Sequence, residues 1–204
     1  MINRRQHIIV FFCAALLLCS CATRRTRITT DYYQKNEQAL MRIEQSYRAL
    51  YAIRPFSVEF TDKSFKYISL EIITDSLKYI YEFEINEPRL QDTLIKYALP
   101  ARGVTDLVTQ MAAIHCIWIN NLVYYGNNQQ PQSLVYLSIR NMAINMPFTS
   151  EKYYILTFYS QPQYYDSEGQ LLAGRNLRRL RRINGEIFRR INDKVCYTIS
   201  SRFR

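Results

Sequence analysis

Residues 55–85 read PFSVEFTDKSFKYISLEIITDSLKYIYEFEI. Phe56, Val58 and Phe60 alternate with polar partners, as do Ile68, Leu70 and Ile72, and then Leu77, Tyr79, Tyr81, Phe83 and Ile85. Side chains on a strand point to opposite faces in turn, so each run presents its apolar set on one side. Asp62-Lys63 and Thr74-Asp75 leave room only for tight turns between the runs. The stretch therefore predicts a three-stranded antiparallel meander with one face buried.

The flanking sequence changes period. Thr30 or Asp31 can cap a helix running to about Tyr51, with Leu40, Ile43, Tyr47 and Leu50 on one face. After the meander, Asn86 and Pro88 start a helix through Leu90, Leu94 and Tyr97 that Pro100 ends. Gly103 opens a second helical pattern, Val104-Leu107-Val108-Met111-Ile114-Trp118, which either continues to Leu122 or becomes a strand at Cys116. Beyond the loop Gly126–Pro131, Ser133–Arg140 and Tyr153–Ser160 read as strands, the second apolar on both faces and hence central. A turn at Asp166–Gly169 precedes a short hairpin arm (170–172), a helix from about Arg175 to Asn192, and a last strand, Val195–Ser201. Strand runs segregated from helix runs indicate α+β: a mainly antiparallel sheet with helices packed on one side, in a single globular domain over 31–204.

The N-terminus reads differently again. Met1–His7 is short and basic, and Ile8–Leu18 is an unbroken apolar run. That run is about half the roughly twenty residues a membrane-spanning helix needs, so it reads as an export signal. Leu18-Cys19-Ser20-Cys21 resembles the lipobox of bacterial lipoprotein precursors, with an aliphatic residue at −3, a small one at −1 and cysteine at +1. Cys19 at −2 departs from the small residue usual there. The resemblance implies cleavage of residues 1–20, a diacylglycerol on the Cys21 thiol, and a lipidated tether over 21–30. Two or three chains anchor firmly where one does so only marginally, since each buried methylene contributes about 0.8 kcal/mol. Ala22 and Thr23, in place of Asp, follow the cysteine. By the same resemblance, this points to the inner leaflet of the outer membrane, facing the periplasm.

Roughly 180 residues remain after cleavage, enough for one core. The chain is 48% hydrophobic and 22% charged, which excludes a disordered tail. Its net charge of +10 falls to about +8 without Arg4 and Arg5. Behind an export signal, anionic headgroups, cell-wall polymers or acidic protein faces are the expected partners, and nucleic acid is not. Cys116 and Cys196 are the thiols left. A disulfide between them is permitted in an oxidising compartment; the alternative is two small buried residues that never meet.

The predicted helix at 175–192 carries Leu177, Leu180, Ile183, Ile187 and Ile191 on one stripe, with Arg175, Arg178, Arg179, Arg181, Arg182, Arg189 and Arg190 away from its centre. Such a helix either docks on phosphates or an acidic partner or packs on the sheet with its arginines solvated. Among the 17 tyrosines, most are expected to fill strands, whereas Tyr124-Tyr125 and Tyr164-Tyr165, beside loops, are candidate interface aromatics. His115 is the one histidine of the mature chain; it is expected to be partly buried, and on a helix its neighbour Cys116 would point away from it. Metal-ligand spacings, phosphate-binding loops and nucleophile elbows are missing from the sequence, so no catalytic residue, cofactor or metal is expected.

The expectation is a non-enzymatic, lipid-anchored structural or adaptor subunit of an envelope assembly, such as a secretion or transport complex. An envelope module binding a small apolar ligand or a glycan is the alternative. If Cys21 carries the lipid, radiolabelled palmitate enters the wild-type chain and not Cys21→Ala. Label in both proteins, or in neither, contradicts the anchor.

Overall fold

The computed structural model describes residues 31–125, 130–140, 151–163 and 188–201. The signal, the tether and Cys21 lie outside them. The chain divides into two compact units, 1–38 and 39–204. The described residues of the first, 31–38, are helical, and Asn36 Nδ2 donates to the Tyr32 carbonyl there (2.9 Å). Helix α1 covers 31–53.

Within 39–204, β1 (Phe56–Phe60), β2 (Tyr67–Ile73) and β3 (Lys78–Glu84) are followed by α2 (Pro88–Lys96) and α3 (Ala101–Ala113). Then come β4 (Cys116–Tyr125), β5 (Pro131–Arg140), β6 (Tyr153–Tyr159), β7 (Arg189–Arg190) and β8 (Val195–Ser200). The strands form one antiparallel sheet in the order β3-β2-β1-β4-β5-β6-β8-β7. The α+β class and the meander are as the alternation predicts, and β6 is interior, buried over Tyr154–Tyr159. The helical pattern after Gly103 ends before Cys116, where β4 begins.

Register sorts the side chains into two faces. One row runs Tyr81–Leu70–Val58–Ile119–Leu137–Leu156–Tyr197 across the sheet. The helices lie on that face. Leu40, Ile43, Tyr47 and Leu50 of α1 are buried, and the Tyr47 ring meets Phe56 edge-on at 5.2 Å. Its hydroxyl donates to the Phe56 carbonyl at 2.5 Å, and burial raises its pKa well above the ordinary phenol value. Arg48, paired with Glu44, reaches Ser133 Oγ (2.7 Å) and the Phe158 carbonyl (3.0 Å), fastening α1 to β5 and β6. At Gly103 a Cβ would come within 3.1 Å of Leu50 Cδ2, so glycine lets α3 approach α1 closely. Tyr97, closing α2, rests on β3 through Tyr79 and Tyr81.

The opposite row, Glu82–Ser69–Glu59–Trp118–Ser138–Ile155–Thr198, changes character halfway. Over β1–β3 it is polar. Over β4–β8 it carries a second apolar cluster of Ile117, Trp118, Leu134, Tyr136, Ile155, Tyr159, Phe188 and Cys196. A bulge between Cys116 and Trp118 makes this possible. It inserts Ile117 as an extra residue, so Cys116 faces the helices while Ile117 and Trp118 enter the second cluster.

One open alternative is decided and two expectations change. Cys116 and Cys196 are buried and not joined by a disulfide. They lie on opposite faces, with β5 and β6 between their strands. Three strand spacings amount to about 14 Å, far beyond the roughly 7 Å limit for a disulfide. Burial pushes the Cys116 thiol up to about 12, which leaves it protonated and inert. The helix expected to reach Asn192 does not include Arg189 and Arg190, which pair as β7 with Tyr197 and Cys196. The Asn192 side chain accepts from the Lys194 and Val195 N–H groups (3.0 and 2.9 Å), folding the chain into a tight hairpin in place of a last helical turn. In β3, of the predicted apolar stripe only Phe83 is fully buried; Leu77 and Tyr79 are exposed because β3 ends the sheet.

Candidate functional site

Edge position, turn chemistry and α2 together build an aromatic surface at the β3 end of the sheet. Asp62 sets the β1–β2 turn, accepting from Ser64, Lys66 and Tyr67 N–H groups (3.0, 3.0 and 2.9 Å) and from Ser64 Oγ. Partial desolvation opposes them, but these bonds win and hold its carboxyl below the usual range. Thr74 closes the β2–β3 turn, its Oγ1 donating to the Leu77 carbonyl at 2.8 Å and accepting from the Leu77 N–H at 3.1 Å. β3 then runs with Tyr79, Tyr81 and Phe83 on the helix face. Their rings stack along the strand at 6.4 and 5.9 Å between centroids, nearly parallel.

Tyr97 completes the stack. Helix α2 ends there because Ala98 takes a left-handed backbone (φ 59°), with Leu99 N–H returning to the Leu94 carbonyl at 2.9 Å. The Tyr81 and Tyr97 hydroxyls lie 2.7 Å apart, and Lys96 Nζ sits 5.4 Å from the Tyr97 ring centroid. The hydrogen bond with Tyr81, with desolvation and the neighbouring phenols adding to it, pushes the Tyr97 hydroxyl up to about 12.

Of the eight large exposed apolar side chains among the described residues, five belong to this end of the sheet, on both of its faces, and Met41, Ile53 and Val123 lie on α1 and β4. Tyr67, Leu77, Tyr79, Ile80 and Ile95 are 50, 57, 37, 66 and 68% exposed, and all belong to β2, β3, the turn between them or α2. Ile80 stands on the polar face of β3, across from Glu71, which Lys78 pairs at 2.8 Å. Alternation assigned Tyr79 and Tyr81 to a buried face, while Ile80, which breaks the alternation, marks the surface.

The residues singled out from sequence fall elsewhere. Arg175, Arg178, Arg179, Arg181, Arg182, Tyr164 and Tyr165 lie outside the described residues, as does Cys21. Arg189 and Arg190 are exposed on β7, Arg190 in an ion pair with Asp193. Tyr124 and Tyr125 end β4, in register with Gln132 and Pro131; their side chains lie outside what is described.

His115 is not partly buried but exposed, in a left-handed turn (φ 57°) between α3 and β4. Its ring meets Phe65, itself left-handed (φ 58°), at 5.4 Å. Nearby, Arg140 Nε lies 3.1 Å from Glu151 Oε1, and Tyr153 donates to Glu151 Oε2 at 3.0 Å. Arg140 also lies 6.0 Å from the Phe65 ring centroid. The group pins the α3–β4 turn and the β5 and β6 ends together, and the carboxylate is held by the guanidinium and the phenol. Among the described residues, no three His, Cys, Asp or Glu side chains group to hold a metal. Among them, too, no helix is long and apolar enough to cross a membrane.

No family, curated protein or solved structure matches the chain.

Tyr97 gives the surface a pH signature. Its pKa is higher folded than unfolded, so its contribution to stability is full below about pH 10 and is lost as the pH rises through about 12. Carbon-13 NMR of the Tyr97 phenol is expected to give a midpoint near the upper value, moving down toward 10 in Tyr81→Phe. An unchanged midpoint in the variant contradicts the hydroxyl pairing.

Proposed function

We propose that this chain is a periplasm-facing, lipid-anchored structural or adaptor subunit of a cell-envelope assembly, such as a secretion or transport complex. Its docking face is the β3 end of the sheet. The observation that carries the reading is the gathering of Tyr67, Leu77, Tyr79, Ile80 and Ile95 at one end of a sheet whose central strands are buried on both faces. Exposed apolar side chains scattered singly need no explanation, but here they stand among charges on both faces of one edge of the sheet, and exposed apolar surface concentrated in this way marks interaction sites. These charges are Lys78, Glu82, Glu84 and Lys96. Tyrosine suits such a face because it adds large area and a polar tip at low entropic cost.

Support for the anchor is the resemblance of Leu18–Cys21 to a lipobox after a basic head and a short apolar run. The lipid on Cys21 would hold the chain at the outer membrane's inner leaflet. The reading assigns no catalytic residue, cofactor or nucleic acid. A glycan-binding role draws on the same tyrosines, but the Tyr81 and Tyr97 hydroxyls are spent on one another, leaving fewer groups to read sugar hydroxyls.

The test is cross-linking in native membranes followed by quantitative pull-down. Wild type is compared with a Leu77→Glu/Ile95→Glu variant, both positions being more than half exposed, so folding is retained. Recovery of co-purifying envelope proteins is expected to fall about tenfold or more. Partners captured equally by both proteins, or none captured by wild type, contradict the reading.

A further inference from the structure

Among the described residues the outer edge of β3 bonds to no other strand, and the phase of the β2–β3 ladder fixes which of its groups are open. Ile85 N–H donates inward to the Lys66 carbonyl (3.0 Å), and the Leu77 carbonyl accepts inward from Thr74 N–H (2.9 Å). Orientation alternates along an antiparallel strand, so Tyr79, Tyr81 and Phe83 also bond toward β2. The N–H and C=O groups of Lys78, Ile80, Glu82 and Glu84 face outward. Glu84 agrees, since its N–H turns to Glu87 Oε2 (3.3 Å) and its carbonyl accepts from Glu87 N–H (2.9 Å). Three residues, Lys78, Ile80 and Glu82, therefore offer their backbone for pairing.

We propose that β3 pairs antiparallel with β3 of a second copy of this chain about a twofold axis at Ile80, continuing the sheet across a dimer. The proposal rests on the reading of this end of the sheet as a docking surface. The sequence Lys78-Tyr79-Ile80-Tyr81-Glu82 is complementary to itself in that register. Ile80 packs on the partner's Ile80, and on either side of it Lys78, already paired with Glu71 of its own chain (2.8 Å), meets the partner's Glu82 so that one ammonium bridges two carboxylates. On the helix face Tyr79 meets the partner's Tyr81, lengthening the aromatic stack. Cross-strand aromatic and opposite-charge pairs of this kind stabilise a seam, and like charges directly opposite weaken it.

The neighbouring registers are poorer. A shift by one position opposite sets Ile80 against the partner's Glu82 and calls on Glu84 groups already turned onto Glu87. A shift by two sets Glu82 against the partner's Glu82. Charge is the usual device that keeps an edge strand from pairing, and here its order invites a copy of the same strand.

The experiment is sedimentation of the full-length chain in mild detergent, with charge reversal and cysteine capture. The wild type is expected to be dimeric. Lys78→Glu and Glu82→Lys each raise the dimer dissociation constant about tenfold or more, and the double variant Lys78→Glu/Glu82→Lys restores it. Ile80→Pro, which removes an outward N–H and leaves the β2 ladder intact, yields monomer. Ile80→Cys oxidises to a covalent dimer, because directly opposed residues of a bonded pair lie about 5.5 Å apart, whereas Lys78→Cys does not. A monomeric wild type, a dimer indifferent to these changes, or failure of Ile80→Cys to cross-link overturns the proposal. A monomer that still loses its envelope partners in the Leu77→Glu/Ile95→Glu variant would leave the docking reading standing without the dimer.

Discussion

An open antiparallel sheet must end in two rows of backbone N–H and C=O groups that no strand satisfies. In this protein that constraint falls unequally on the two ends. At one end stands β7, a two-residue strand with exposed arginines. At the other stands β3, seven residues long, with Ile80 and Tyr79 exposed on opposite sides of it. Proteins blunt such edges with short strands, charges, proline or a covering helix. Among the described residues, Glu87 covers the Glu84 end and no other part of this edge. The remaining outward groups belong to a run whose charges alternate with apolar side chains in a self-complementary order.

The rest of the architecture explains why the exposure concentrates there. Helices α1 to α3 form a single layer on one face. Their anchors, Tyr47 on Phe56 and Arg48 on Ser133 and Phe158, lie over β1, β5 and β6. The opposite face gains its own cluster only from β4 onward, after the bulge turns Ile117 and Trp118 into it. Toward β3 both coverings thin out. Of the helices, the end of α2 meets it with Tyr97, and the other side carries Glu71, Glu82 and Lys78. Core strands and edge strand are parts of one ladder, separated by how much of the described chain lies above and below them.

This gradient sets what was legible in the sequence. Period-two alternation identified the three strands of the meander, and apolar residues on both faces identified β6 as interior. Alternation shows which residues share a face, but not whether a strand has a neighbour beyond it, so Tyr79 and Tyr81 were assigned to the core. Ile80 was the available clue, an isoleucine at a polar position. The helical stripe Leu177–Ile191 fits a 3.6-residue period, yet the Asn192 turn draws Arg189 and Arg190 into a hairpin, a local hydrogen-bond choice that periodicity does not weigh. The two thiols illustrate the same limit. Their spacing in the chain carries no sign of the bulge that turns Cys116 toward the helices and away from the face of Cys196.

The claim that the β3 edge is the seam through which the protein assembles is tested most directly by residue-resolved hydrogen exchange on the full-length protein in mild detergent, at concentrations where it is assembled. The account predicts that the outward amides of Ile80 and Glu82 are protected as strongly as the inward amides of Tyr79 and Tyr81, and lose that protection when the protein is diluted to monomer. Outward amides that exchange at the rate of open backbone in the assembled state would contradict it.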